Sequence, residues 1–176
     1  MDVTENGLRA AVKSLTDVVA PAINPNDPLA AEQLKLVVDY LEFVRGRLDF
    51  LCYRETFELR DNLALARAIQ NSGAIISPEN KSLLESSIET GTAVLSSHEL
   101  KSNVIRLAAF EIAAVVREVI RESASYEESI RRKLETLVLE MSVDRITFDR
   151  AWYLPLGFDP SPKEVPHFVE VAEKNR

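Results

Sequence analysis

The chain has 176 residues, of which 46% are hydrophobic and 28% are charged, and its formal net charge is −7. This length is enough for one domain with a hydrophobic core, and the composition is that of a globular rather than a disordered protein. The acidic balance argues against nucleic acid as a partner, because affinity for phosphate backbones depends on clustered Lys and Arg.

Apolar residues recur at helical spacing between residues 28 and 150, which predicts an all-α fold. A first helix is predicted over residues 4–19, before Pro21 and the turn-rich segment PAINPNDP. Asp27 and Pro28 then match the N-cap and first position of a second helix. Because no strong stop signal follows, this helix is predicted to continue to Gln70, over roughly 60 Å.

The next helix is expected to form a hairpin with that long helix. Gly73 supplies the C-terminal stop, and Ser77 with Pro78 repeats the arrangement of a cap followed by proline. The helix is predicted to reach about Arg121, with a kink or a restart near its middle, where Gly91, Thr92, Ser96 and Ser97 weaken it.

The last helix is predicted to begin at the capping box formed by Ser125 and Glu128 and to end near Arg150. The tail that follows combines prolines with aromatic residues, so it is too apolar for a free linker and too broken for a helix. We therefore predict an elongated bundle of four to five helices over residues 1–150. Residues 151–176 are predicted to form an extended strap that packs on the bundle or on a neighbouring subunit.

The stretch VIRLAAFEIAAVVREVI, residues 104–120, has apolar residues on two faces of a helix. Such a helix is expected to lie at the centre of a bundle and also to contribute to a dimer interface. The aromatic residues of the strap are expected to join it. The predicted interface residues are Ile105, Ile112, Val116, Val119, Trp152, Tyr153 and Phe158.

The segment HELKSNVIRLAA begins at His98 and resembles the active-site segment of histidine phosphotransfer domains. It is also similar to the H-box of sensor kinases, in which His-Glu-Leu is common. The resemblance covers about a dozen residues and implies that His98 accepts a phosphoryl group. Lys101, one turn away on the same helix face, would offset the charge of that group. Ser102 and Asn103 depart from the family pattern, which has a glycine and a smaller residue there.

A structural interpretation of the same segment is also open. Ser96 and Glu99 match a capping box, which would place His98 in the first turn of a helix that restarts after the weak point. The chain has no glycine-rich nucleotide-binding motif, so a complete kinase is not expected.

A second resemblance covers roughly residues 15–50, which include LTDVVAPAINPNDPLAAEQLKLVVDYLEFV. This segment is similar to the helix, Ala-Pro turn and long helix of small uncharacterised bacterial proteins found alongside aminoglycoside-phosphotransferase-like proteins and acyl-CoA dehydrogenases. The resemblance implies an accessory role and assigns no site residues.

Motifs for catalysis or metal binding are sparse. The sequence contains no G-x-S-x-G motif, and His167 has no other metal ligand at a suitable spacing. Glu111 lies in an apolar segment and is a candidate buried carboxylate. However, no Glu is followed three residues later by His, as di-iron bundles require. We therefore expect neither an enzyme nor a bound metal or cofactor.

Cys52 is the only cysteine, so no intramolecular disulfide is possible, and its apolar neighbours predict a buried thiol. The first 20 residues contain charged side chains and lack the apolar segment of a signal peptide. Because no run of 18 apolar residues occurs either, we expect a cytoplasmic protein without a membrane partner.

These observations favour a non-enzymatic helical interaction or accessory protein that forms a homodimer. Phosphotransfer through His98 is one alternative. Another is a binder of a small hydrophobic ligand, since helical proteins often hold ligands between their helices. The pocket expected for that ligand is lined by Phe43, Phe50, Phe57 and Phe110.

Overall fold

A computed structural model describes residues 3–74, 76–99 and 101–174, and within these ranges every regular element is a helix. The predicted all-α fold is therefore confirmed. No helix in these ranges has the length and hydrophobicity needed to cross a bilayer.

The helices belong to two compact units. The described residues up to Leu51 form the first unit together with Trp152–Val165, and Cys52–Ala151 forms the second with the described residues from Pro166 onward. This arrangement differs from the predicted division at residue 150, because the first unit draws on two separate parts of the chain.

The first unit contains two helices that pack against each other. Helix α1, Val3–Ser14, continues through a π-helical turn, Leu15–Val19, and a final turn, Ala20–Ala22. It passes the end predicted at residue 19, since a proline in the last turn removes one hydrogen bond without ending the helix. Helix α2, Pro28–Arg45, begins as predicted, with the Asp27 carboxylate accepting the N–H of Ala30 at 3.0 Å.

The prediction of one continuous helix from Pro28 to Gln70 is wrong. Helix α2 ends at Arg45, a 3₁₀ turn follows at Leu48–Phe50, and helix α3 comprises Leu51–Asn71. Glycine at position 46 has low helix propensity. In addition, Nε and Nη2 of Arg47 donate to the carbonyl of Trp152 at 3.3 and 3.2 Å, a tertiary contact made just after the helix ends.

The second unit is built on four longer helices and a short one. Besides α3, these are α4, Pro78–Leu95, α5, Ser102–Glu122, α6, Glu128–Tyr153, and α7, Phe168–Lys174; the last two residues of α6 belong to the first unit. The Ser77 hydroxyl accepts the N–H of Asn80, so the predicted cap of α4 is confirmed. Ser125 does not cap α6, because its hydroxyl donates to the carbonyl of Glu122 instead.

The predicted interruption of the helix that begins at Pro78 lies at Ser96 and Ser97, and α4 also contacts α3, since Nη2 of Arg67 donates to the Thr92 hydroxyl at 2.7 Å. The helix expected to run to Arg121 is interrupted between Leu95 and Ser102, and the resulting helices α4 and α5 pack against each other. Gly91 does not mark the interruption. It lies buried inside α4, where a Cβ atom would come within 2.6 Å of the Cδ1 atom of Ile112. The glycine therefore permits close helix packing.

The core of the second unit receives buried side chains from α3, α4, α5 and α6. Its members with almost no exposed area include Leu59, Leu63, Ile69, Leu84, Ile105, Ile112, Val119 and Leu134. The helical spacing of these residues places them on the same face of each helix, and that face packs into the core.

The last part of the predicted strap is helical, so the prediction of an extended conformation is wrong there. Phe168 of α7 meets the ring of Phe148 edge-on at 5.6 Å, and Phe148 stacks on Phe57 at 3.9 Å. The Tyr53 hydroxyl also donates to the carbonyl of Ala172 at 2.8 Å. Helix α7 therefore packs on this chain's own second unit.

Candidate interaction surface

Helix α2 is apolar on two opposite faces. On the side toward α1, Leu34 and Val38 help to line a cleft of about 220 Å³. On the opposite side Leu29, Leu36 and Tyr40 are exposed, and the side chain of Tyr40 keeps 57% of its accessible area. Their spacing of seven and four residues places all three on one line of the helix.

Aromatic rings extend this exposed line. Phe43 lies 6.1 Å from the ring of Tyr40 and stacks on the ring of Tyr153 at 5.9 Å. The guanidinium of Arg47 lies 5.9 Å from the centre of the Phe43 ring, within the range of a cation–π contact. We call Leu29, Leu36, Tyr40, Phe43 and Tyr153 the aromatic face.

The first unit has almost no core of its own. Among its described residues, Trp152 is the only one that is buried. Units with so few buried side chains usually depend on disulfides, metals or association for their stability. Because four of the five residues of the aromatic face are exposed and Phe43 is half-buried, this face is the candidate surface for such association.

The predicted interface is wrong for its α5 residues. Ile105, Ile112, Val116 and Val119 are buried in the chain's own core, so none is available to a second chain. The sequence shows two apolar faces on this helix. The face with Ile105 and Ile112 is buried in the core, whereas Leu107 and Phe110 on the other face are exposed.

The three strap residues of the predicted interface have different environments. Trp152 is buried, with its ring edge-on to Phe43 at 6.3 Å, so it is not a surface residue. Tyr153 and Phe158 are exposed, Phe158 with 78% of its accessible area. Only these two retain the exposure that the prediction required.

The four phenylalanines do not form the predicted ligand pocket. Phe57 is buried in the stack with Phe148, whereas Phe110 is exposed beneath the Arg117 guanidinium at 5.7 Å. Phe43 belongs to the aromatic face, and Phe50 lies in the 3₁₀ turn after the break in the helix. Phe43, Phe50 and Phe57 are seven residues apart, so they would share one helix face only if the helix were continuous.

His98 lies exposed in the connection between α4 and α5. Neither helical interpretation of this segment is correct, because α5 begins only at Ser102. Lys101 therefore does not share a helix face with His98, and its ammonium group lies 3.7 Å from Glu99 instead. Leu100 of the same motif lies outside the described residues.

The other residues singled out from the sequence have ordinary roles or positions. Cys52 and Glu111 are exposed, so the predictions that they are buried are wrong. The Nδ1 atom of His167 accepts the N–H of Val169 at 3.4 Å, next to the start of α7. Among the described residues, no three His, Cys, Asp or Glu side chains are grouped to hold a metal ion.

An ion-pair cluster between α3 and α6 was not expected from the sequence. Arg145 contacts Glu58 at 2.8 Å, Asp149 at 2.9 Å and Asp61 at 4.0 Å, beside a cleft of about 400 Å³. Burial raises the pKa of Asp61, and the nearby Arg145 charge only partly counteracts it. Because the Arg145 guanidinium pairs with all three carboxylates, we interpret the cluster as a structural link between α3 and α6. Only the i to i+4 spacing of Arg145 and Asp149 was visible in the sequence.

Comparison of the chain with protein-family models, with curated proteins and with solved structures gives no match.

Proposed function

We propose that this is a non-enzymatic cytoplasmic helical protein whose function is association, and that it forms a homodimer through the aromatic face. The observation that carries this proposal is the exposure of that face in a unit whose described residues include one buried side chain. Covering Tyr40 and its neighbours with a second copy would supply the missing apolar burial.

The composition of the face supports this proposal. Interfaces are enriched in Tyr, Phe, Trp and Arg, because these side chains bury a large area with few rotatable bonds. The face combines Tyr40, Phe43 and Tyr153 with the Arg47 guanidinium lying over the Phe43 ring. Two helical hairpins such as α1–α2 can also pair into a four-helix arrangement with closed two-fold symmetry.

The test is the mass of the untagged protein in solution, measured by sedimentation equilibrium and native mass spectrometry. We expect a dimer, and we expect Tyr40→Asp to weaken dimerisation by about tenfold or more. Leu107→Asp is the matched control, because it introduces the same charge at an exposed apolar position on α5. Helical circular dichroism should be unchanged in both variants.

A monomeric wild-type protein would contradict the proposal, as would dissociation caused by Leu107→Asp but not by Tyr40→Asp. The same mass spectra also test the alternative functions. An added phosphoryl group that is lost in His98→Ala would favour phosphotransfer, and any other added mass would favour a bound ligand.

A further inference from the structure

The exposed side of α2 carries residues at the spacing of a helix–helix seam. They follow one another at intervals of four and three positions in alternation, and they are Leu29, Gln33, Leu36, Tyr40 and Phe43. All of them are exposed except Phe43, which is half-buried. Helices that pack side by side along their length use this alternation of intervals. A second helix can therefore cover the aromatic face by lying along α2.

The two edges of this seam differ in chemistry. Val37 and Val44 lie along one edge, and Val37 keeps 48% of its accessible area. Glu32 and Asp39 lie along the other edge. The Asp39 carboxylate pairs with the ammonium group of Lys35 at 2.5 Å, whereas Glu32 forms no ion pair within the described part of the chain. The seam therefore has an apolar edge and a charged edge.

The direction of a covering helix decides which edges meet. In an antiparallel pair of identical helices each edge faces the same edge of the other copy, whereas in a parallel pair it faces the opposite edge. Antiparallel α2 helices would bury Val37 against Val37 of the second copy. Parallel helices would instead press Glu32 and Asp39 against the valines, and removing a carboxylate from water beside apolar side chains costs free energy. The edges therefore favour the antiparallel direction.

Arg47 favours the same direction. It follows the end of α2, and its Cζ atom lies 5.4 Å from the centre of the Trp152 ring and 5.9 Å from that of Phe43. In a parallel pair the two Arg47 side chains would lie at the same end, where like charges oppose association. In an antiparallel pair Arg47 would lie near the start of the other α2, which carries the carboxylates of Asp27 and Glu32.

We propose that the α2 helices of two copies pair antiparallel across the aromatic face. Leu36 then lies beside Tyr40 of the second copy, which places the two-fold axis near residue 38. Val37 faces Val37 of the second copy at this axis, and Glu32 lies near Arg47 of the second copy. This inference rests on the homodimer proposed above and adds its direction and the residues that select it.

The charged edge also tolerates this arrangement. Asp39 comes close to Asp39 of the second copy at the two-fold axis. Each of these carboxylates keeps the ammonium group of Lys35 from its own chain as a partner. The paired charges stay at the rim of the seam, because the Lys35 side chain keeps 74% of its accessible area.

The first experiment measures the direction of the pair in the full chain. Cys52, the only cysteine, is replaced by serine, and Asn26→Cys provides an exposed position just before α2 for a nitroxide label. Double electron–electron resonance then gives the distance between the two labels of a dimer. We expect about 36 Å or more, because each label lies about 12 residues from the axis at a rise of about 1.5 Å per residue. A parallel pair would hold the labels within about 20 Å of each other.

A charged variant tests the apolar edge. Val37→Lys should weaken dimerisation by about tenfold or more, because two ammonium groups would face each other at the axis. A parallel pair would instead be strengthened, since each added ammonium group would face Glu32 and Asp39. Val143→Lys on α6 is the matched control, because Val143 is also exposed and the substitution is the same. This control should change the dissociation constant by less than about threefold. Circular dichroism and the unfolding midpoint establish that each variant is folded.

The outcomes separate this inference from the proposed function. A monomeric wild-type protein would contradict both. A dimer with a label distance below about 20 Å would overturn only the antiparallel pairing. A dimer that Val37→Lys strengthens or leaves unchanged would do the same. Equal weakening by Val37→Lys and Val143→Lys would also overturn it, because the effect would then be one of net charge alone.

Discussion

The side-chain amide of Asn80, in the first turn of α4, donates a hydrogen bond to the carboxylate of Glu122, in the last turn of α5. The Ser77 hydroxyl donates to the same carboxylate oxygen at 3.0 Å while it caps α4. The Glu122 carboxylate thus links the start of α4 to the end of α5. These two ends lie away from the short segment that connects the helices. Asn80 is among the few polar residues in the described chain that are buried.

Replacement of Asn80 by alanine is expected to lower the free energy of unfolding by about 1–3 kcal/mol, because a hydrogen bond to a charged, partly buried group is lost. Urea denaturation followed by circular dichroism measures this change. Asn103→Ala, at an exposed position in the first turn of α5, is the control and should change stability by less than about 0.5 kcal/mol. Equal losses in the two variants would show that the bond to Glu122 contributes little.

Glu122 and Asp61 are expected to affect stability at neutral pH in opposite directions. The Asn80 hydrogen bond holds the pKa of Glu122 below its ordinary value. At a pH above that ordinary value, ionised Glu122 therefore stabilises the fold, and this contribution is lost as the pH falls through the lowered pKa. Burial raises the pKa of Asp61, so its ionised form destabilises the fold at neutral pH, and protonation on acidification removes this cost.

At neutral pH, Glu122→Gln should therefore be less stable than the wild type, and Asp61→Asn should be more stable. Both differences should shrink as the pH falls through the range in which carboxylates titrate. Urea denaturation at a series of pH values provides the test. A difference for either variant that stays constant with pH would contradict the assigned shift in its pKa.

Gly91→Ala is expected to destabilise the protein although alanine is the better helix former. The added Cβ would lie 2.6 Å from Ile112 Cδ1 and 3.1 Å from Leu63 Cδ2. Overpacking of this kind costs about 1–3 kcal/mol. Gly7→Ala in α1 is the matched control, because nothing lies within 4 Å of its added Cβ. Thermal unfolding should show a lower midpoint for Gly91→Ala and an equal or higher midpoint for Gly7→Ala.

Features that depend on neighbouring residues could be predicted from the sequence. The cap-and-proline starts at Asp27 and Ser77 are confirmed, because each cap is a hydrogen bond between residues three positions apart. The all-α fold is confirmed for the same reason, since the period of the apolar residues is a local property. Of the predicted interface residues, Tyr153 and Phe158 are exposed, and Tyr153 belongs to the aromatic face; their part in an interface stays a prediction.

The tertiary structure decided where helices break and which apolar face is buried. The end of α2 before Gly46 is accompanied by the contact of Arg47 with Trp152, which is more than 100 residues away in sequence. On α5 the face that contains Ile112 is buried in the core, whereas on α2 the face that contains Leu29, Leu36 and Tyr40 is exposed. Hydrophobic periodicity shows that a helix has an apolar face, but burial depends on a second surface of matching shape, which only the folded chain supplies.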